Sequence, residues 1–163
     1  CAFAVASDVV PGRKRKNEDR VTSAVFEVAG TAWTVQYYAL FDGHGGKEAA
    51  DHCVDELHVA VKEQLERGAS LRTAFVRACW SIDEWLGQRG IMAGTTATCL
   101  FLFVDKGRTF PTKAYLGWIG DSMALSYDML ASKTTAVTTR HNPDNDDEVA
   151  RLEAIWRARK ARS

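Results

Sequence analysis

Several familiar signatures are missing from this chain, and each absence narrows what it can be. No apolar run approaches the ~20 residues that a membrane-spanning helix needs, so no membrane partner is expected. Neither sign of charge dominates, because 21 Lys and Arg offset 21 Asp and Glu. No global field therefore draws the protein to nucleic acid or to an anionic surface, and nucleic acid is not expected as a partner. Cys1, Cys53, Cys79 and Cys99 contain no Cys-x-x-Cys pair of the metal or redox type. Three of the four lie in apolar helix or strand patterns, which reads as buried, reduced thiols. A reducing intracellular compartment is expected, the cytoplasm or the mitochondrial matrix. The opening residues show no secretory pattern, and no internal repeat or low-complexity linker is visible. The first residue is Cys1 rather than Met, so a processed chain or a piece of a longer one is expected.

What is present is ordinary for a globular protein: 163 residues, 46% hydrophobic and 26% charged, the length of one domain. The chain is organised around residues 37 to 46, Tyr-Tyr-Ala-Leu-Phe-Asp-Gly-His-Gly-Gly. An aromatic, strand-like run stops at Asp42, and Lys47 and Glu48 then open a helical pattern. An acid at a strand end, beside glycines that let backbone approach a ligand, suits a hard cation or a phosphate. The plainer reading is a strand-to-helix turn capped by Asp42 or His44.

Taken in order, residues 2 to 10 read as a strand closed by Pro11 and Gly12. The run Arg13, Lys14, Arg15 and Lys16 is by itself a solvated loop or a weak nuclear-import match. With Asn17, Glu18 and Asp19 behind it, the loop also suits a phosphate together with metal-bound water. Residues 21 to 29 and 32 to 41 predict a hairpin around Gly30. From Gly45 to Arg67 the period is helical, with Ala50, Cys53, Val54, Leu57, Val61 and Leu65 on one stripe. His52 and His58 fall on different faces of that helix and read as surface residues. Gly68 ends the helix and Ser70 caps a second, whose stripe runs through Leu71, Ala74, Phe75, Ala78, Cys79, Ile82, Trp85 and Leu86. Trp80 and Trp85 read as packing residues. The pair predicts an antiparallel helix hairpin lying on a sheet.

Residues 98 to 104 form a nearly continuous apolar run, as in a strand buried on both faces. Residues 113 to 119 and 123 to 127 predict further strands around Gly120, Asp121 and Ser122, a segment that reads in isolation as a hairpin with an Asx-turn. Residues 134 to 139 give a short β-branched strand. Asp146, Asp147 and Glu148 start a helix with bases in its last turns, which suits the helix dipole. Asp144, Asp146 and Asp147 are read as capping that helix.

Together these motifs resemble the metal-dependent protein phosphatases of the type 2C family. The resemblance rests on Asn17-Glu18-Asp19-Arg20, Phe41-Asp42-Gly43-His44-Gly45-Gly46, Gly94-Thr95-Thr96-Ala97, Gly117-Trp118-Ile119-Gly120-Asp121-Ser122, and Thr138 to Pro143 with Glu148, Arg151 and Leu152 beyond. It runs the length of the chain, and the basic run before Asn17 is similar to that of the mitochondrial branched-chain ketoacid dehydrogenase phosphatases. The resemblance implies an α+β fold, an antiparallel β-sandwich flanked by helix pairs, with this chain as the N-terminal part of one domain. It implies hydrolysis of phosphoserine and phosphothreonine in a phosphoprotein substrate, by direct attack of metal-activated water, with two Mn or Mg ions. Asp42 would bridge the ions and the Gly43 carbonyl would join it. Glu18 and Asp19 would hold waters of the metals, and His44 would protonate the leaving oxygen. Asp121 would support His44 or bind a third ion, and Arg13, Lys14 or Arg15 would grip the phosphate. Lys14 stands where the family has Arg, so the bidentate clamp falls to a neighbour. Met123 and Arg140 replace a family Arg and Asp, which is expected to alter a loop rather than the chemistry. The family pattern continues beyond Ser163 with an Asp-Gly and a later Asp-Asn motif, both sources of metal carboxylates. A non-catalytic relative that binds a partner is therefore a second expectation, and a metal or phosphate module unrelated to signalling a third.

Overall fold

The structure is a computed structural model that describes residues 17 to 160. The strand expected at residues 2 to 10 and the bases Arg13, Lys14 and Arg15 lie outside the described residues. The chain divides into two compact units, Cys1–Trp118 and Ile119–Ser163.

In the first unit, β1 (Arg20–Glu27), β2 (Trp33–Phe41), β3 (Gly43–His44), α1 (Glu48–Glu66), α2 (Leu71–Gln88), β4 (Gly94–Thr95), β5 (Ala97–Asp105) and β6 (Lys113–Ile119) follow one another. The larger sheet has the order β1-β2-β5-β6. β2 is antiparallel to both β1 and β5. Alternation places Val35, Tyr37, Ala39 and Phe41 on one face of β2, and the register sets Phe103, Phe101 and Cys99 of β5 beside the first three. Ala50, Cys53, Leu57 and Val61 of α1, with Ala74, Phe75, Ala78 and Ile82 of α2, complete that core. Both stripes are the expected ones. The apolar run of β5 is buried on its second face at Leu102 and Val104, whereas Thr98 and Leu100 are partly exposed.

The helix ends explain the hairpin. Gly68 has φ +81°, its N–H donates to the Leu65 carbonyl, and the Ala69 N–H donates to the Gln64 carbonyl, closing α1 with a left-handed residue. Ser70 Oγ accepts from the Thr73 N–H at 3.2 Å and caps α2, as expected. Three assignments change. Trp80 is 72% exposed, since it lies two residues from both Ala78 and Ile82 and so faces away from their stripe. His58 is half-buried, its ring stacked on Tyr37 at 5.7 Å, so the inner face of α1 carries an imidazole. His52 is likewise half-buried, stacked on Trp85 at 3.6 Å. Burial holds both imidazoles below the usual histidine range. It pushes the Cys53 thiol up to about 11 and those of Cys79 and Cys99 up to about 12, so these cysteines are protonated and unreactive at neutral pH.

The second unit holds β7 (Leu125–Asp128), β8 (Lys133–Ala136) and α3 (Asp146–Lys160). β7 pairs antiparallel with β8, so the segment at Gly120 does not close a β6–β7 hairpin. Asp128 Oδ1 accepts from the N–H groups of Leu130 and Ala131 and builds the β7–β8 turn. The cap of α3 is Asn145 rather than an aspartate: its Oδ1 accepts from the Asp147 N–H at 3.0 Å, while Asp146, Asp147 and Glu148 occupy the first turn. Among the described residues the class is α+β, with an antiparallel sheet and three helices, and no helix is long and apolar enough to cross a membrane.

Candidate active site

Strand β2 ends at buried Phe41, and Asp42 follows it into solvent. The backbone of Asp42 is fixed twice by one residue. Its N–H donates to Thr96 Oγ1 at 3.1 Å, and its carbonyl accepts from the Thr96 N–H at 2.9 Å. Beyond it, β3 and β4 pair antiparallel, with Gly43 opposite Thr95 and His44 opposite Gly94. The Asp-Gly-His-Gly and Gly-Thr-Thr-Ala motifs, far apart in sequence, are thus one two-stranded ladder.

Two glycines of this ladder are required by space. A Cβ on Gly43 would lie 2.5 Å from the Glu18 carbonyl oxygen and 3.1 Å from Glu18 Cβ, so Glu18 is seated directly on the Gly43 backbone. A Cβ on Gly94 would lie 2.8 Å from Cε1 of His44 and closer still to Nε2, so the imidazole lies against bare backbone. Gly45 and Gly46 have a different reason: φ values of +71° and +136° turn the chain into α1 through conformations that disfavour a side chain. The N-cap position of α1 falls on Lys47, which makes no side-chain capping bond, so neither Asp42 nor His44 occupies it.

Ahead of β1, the acid loop is held by an Asx-type bond, Asp19 N–H to Asn17 Oδ1 at 2.9 Å. It is also held by Arg20, whose Nε donates to Asp51 Oδ1 of α1 at 2.5 Å. The structure thus sets Glu18 against the Gly43 backbone, next in sequence to Asp42, and the His44 ring against Gly94, with Asp19 exposed in the acid loop. Asp121 belongs to the second unit. There Gly120, at φ +94°, accepts at its carbonyl from the His141 N–H at 3.0 Å, and the Ala124 N–H donates to Thr138 Oγ1 at 2.9 Å. These bonds give the Gly-Asp-Ser segment its shape. Sequence reasoning passed over Thr96 as a brace for Asp42 and over Asp51 altogether. Asp51 carried no signal, since an acid in the first turn of a helix is common for dipole reasons.

Asp42, the Gly43 backbone and Glu18 are all hard oxygen donors, right in kind for Mg or Mn. They are few in number. Among the described residues, no group of three or more His, Cys, Asp or Glu side chains gathers as a metal site.

Comparison with known proteins bears on this arrangement. The Protein phosphatase 2C family model matches residues 3–155. Protein phosphatase 1F of Homo sapiens is 29% identical over 162 residues, which is 94% of this chain and 34% of that protein. The chain thus spans about a third of the length of the curated relatives it matches. A solved C. elegans sex determining protein superposes with a TM-score of 0.64 at 21% identity, covering 90% of this chain and 36% of that one. The serine-threonine phosphatase 2C of Toxoplasma gondii does so with a TM-score of 0.52 at 16% identity, covering 83% and 54%. The two solved structures share the fold, and the family model spans most of both units: the chain belongs to the protein phosphatase 2C family, whose members are metal-dependent serine/threonine phosphatases.

Proposed function

We propose that this region works in a protein serine/threonine phosphatase that hydrolyses phosphoserine and phosphothreonine in protein substrates. One observation carries the reading: Asp42 ends β2 where the β3–β4 ladder begins, with the Glu18 backbone against Gly43 and the His44 ring against Gly94. Asp42 and the Gly43 carbonyl would hold Mn or Mg, with Glu18 and Asp19 binding waters at its edge. The ions would supply charge neutralisation at the phosphoryl group and a nucleophilic water. As the new P–O bond forms, the bond to the serine Oγ breaks, and a ring nitrogen of His44 donates its proton to that oxygen. Asp121 and the bases Arg13, Lys14 and Arg15 are assigned to the reaction on their motifs, the bases as phosphate ligands. An intracellular setting is proposed from the free cysteines Cys53, Cys79 and Cys99, with a mitochondrial branch as one option within it. The test is hydrolysis of a phosphothreonine peptide by a protein carrying this region, with and without Mn. Full turnover in excess chelator sinks the reading.

A second reading, a phosphatase-like protein that binds a partner without turnover, is favoured by the small number of gathered carboxylates among the described residues. Tight Mn binding without hydrolysis in the same assay would select it.

A further inference from the structure

We propose that Arg20 and Asp51 are positioning residues. They hold the acid loop at residues 17 to 19 onto the first turns of α1 and thereby set where Glu18 stands against Asp42 and Gly43. The proposal rests on the reading that these groups serve a divalent ion.

The geometry is specific. Arg20 opens β1 and pairs in register with Phe41, one residue before Asp42. Its guanidinium is divided between the helix and the loop. Nε donates to Asp51 Oδ1 at 2.5 Å, and Nη1 donates to the carbonyls of Asp19 at 2.8 Å and Asn17 at 3.4 Å. Those carbonyls flank Glu18 on either side, and the carbonyl of Glu18 itself abuts Gly43. One planar group thus joins the loop to the helix that follows Gly-His-Gly-Gly. Lys47 Nζ lies 3.6 Å from Asp51 Oδ2, so the carboxylate stands between two cations. The opposing wall is already rigid, because Thr96 and the β3–β4 ladder fix Asp42 and Gly43. What remains to be fixed is the loop, which has no ladder of its own. The ion pair is partly solvated, with 27% and 42% of the two side chains exposed, and pairs of this kind add little to stability. Its consequence is in geometry. Lysine cannot replace Arg20, because it lacks the planar fork that serves two partners at once.

The test uses the isotope-labelled 163-residue chain, titrated with Mn and followed by paramagnetic broadening of the amide signals. Residues 17 to 19 and 42 to 46 should broaden together in the unaltered chain. In Asp51→Asn and Arg20→Lys, half-broadening of 42 to 46 should require about 10-fold more Mn, the scale for partners that orient metal ligands. At saturation, Glu18 should broaden less relative to Gly43. Asp51→Glu should restore both, and the melting temperature should stay near its unaltered value. Unchanged Mn dependence and an unchanged ratio in the two variants would overturn the proposal. So would broadening confined to 42 to 46 in the unaltered chain, which leaves the metal reading standing. No broadening at either segment would overturn the metal reading and this proposal with it.

Discussion

Replacing Gly94 by alanine tests whether the position of His44 matters to chemistry while asking little of the fold. Gly94 lies outside the left-handed region, so its backbone accepts alanine without strain. The added Cβ would meet His44 at 2.8 Å from Cε1 and 3.3 Å from Cδ2, inside ordinary contact. The imidazole is exposed and on a rotatable side chain, so it retreats rather than the ladder. A retreat of about 1 Å at a reacting group costs about 100-fold in rate, or ~2.7 kcal/mol on the barrier. In an active protein carrying this region, kcat on a phosphoserine peptide should therefore fall about 100-fold. p-Nitrophenyl phosphate should lose far less, because nitrophenolate departs without a proton. The melting temperature should hardly move, and the His44 ring resonances of the 163-residue chain should shift. Equal losses on the two substrates, or full activity on both, would refute the role given to His44.

Other outcomes follow from the same geometry. Asp42→Asn removes the charge of a donor whose backbone Thr96 holds and should cut turnover by orders of magnitude; wild-type turnover in that variant contradicts the metal assignment. The 163-residue chain by itself should bind Mn weakly and show no turnover, because few carboxylates gather among its described residues; calorimetry and a phosphopeptide assay check both. Thermal stability should fall as pH drops through about 6.5. His58 and His52 are held below their unfolded value by burial, so the unfolded chain takes up protons that the folded chain refuses. His58→Phe should flatten that slope in melting scans from pH 7.5 to 5.5, and an unchanged slope would remove His58 from the account.

Much of this architecture was legible because its signals are local and periodic. The stripe from Ala50 to Val61, the Gly68 stop, the Ser70 cap and the strand Lys113–Ile119 each lie within a few residues of sequence. What was misread or missed depends on distance. The β3–β4 ladder joins Gly43 to Thr95 through strands of two residues, too short to show any period. The pairing of β7 with β8 rather than β6 is likewise a choice among neighbours that sequence alone does not rank. His58 reads as a surface residue because it shares no helix face with His52, yet its ring finds Tyr37 and Phe26, which come from two strands. The capping error at α3 is smaller: four adjacent cap-forming side chains compete, and Asn145 wins by also donating Nδ2–H to the Arg140 carbonyl at 2.7 Å.

The glycines of the β3–β4 ladder and of the turn into α1 divide by physical cause, and the division says how the site is specified. Gly45 and Gly46 supply backbone angles, a need shared by many turns into helices. Gly43 and Gly94 supply room, one for the carbonyl of Glu18 and the other for the ring of His44, and neither is needed for φ. Any residue there would fold a similar turn but push an acid or an imidazole out of place. At such positions the space belongs to a neighbour from another segment. Glu18 therefore reads Gly43, His44 reads Gly94, and Thr96 reads the backbone of Asp42. Three short stretches that look independent in sequence are each other's boundary conditions, so a change in one should appear as a displacement in another before it appears as lost stability.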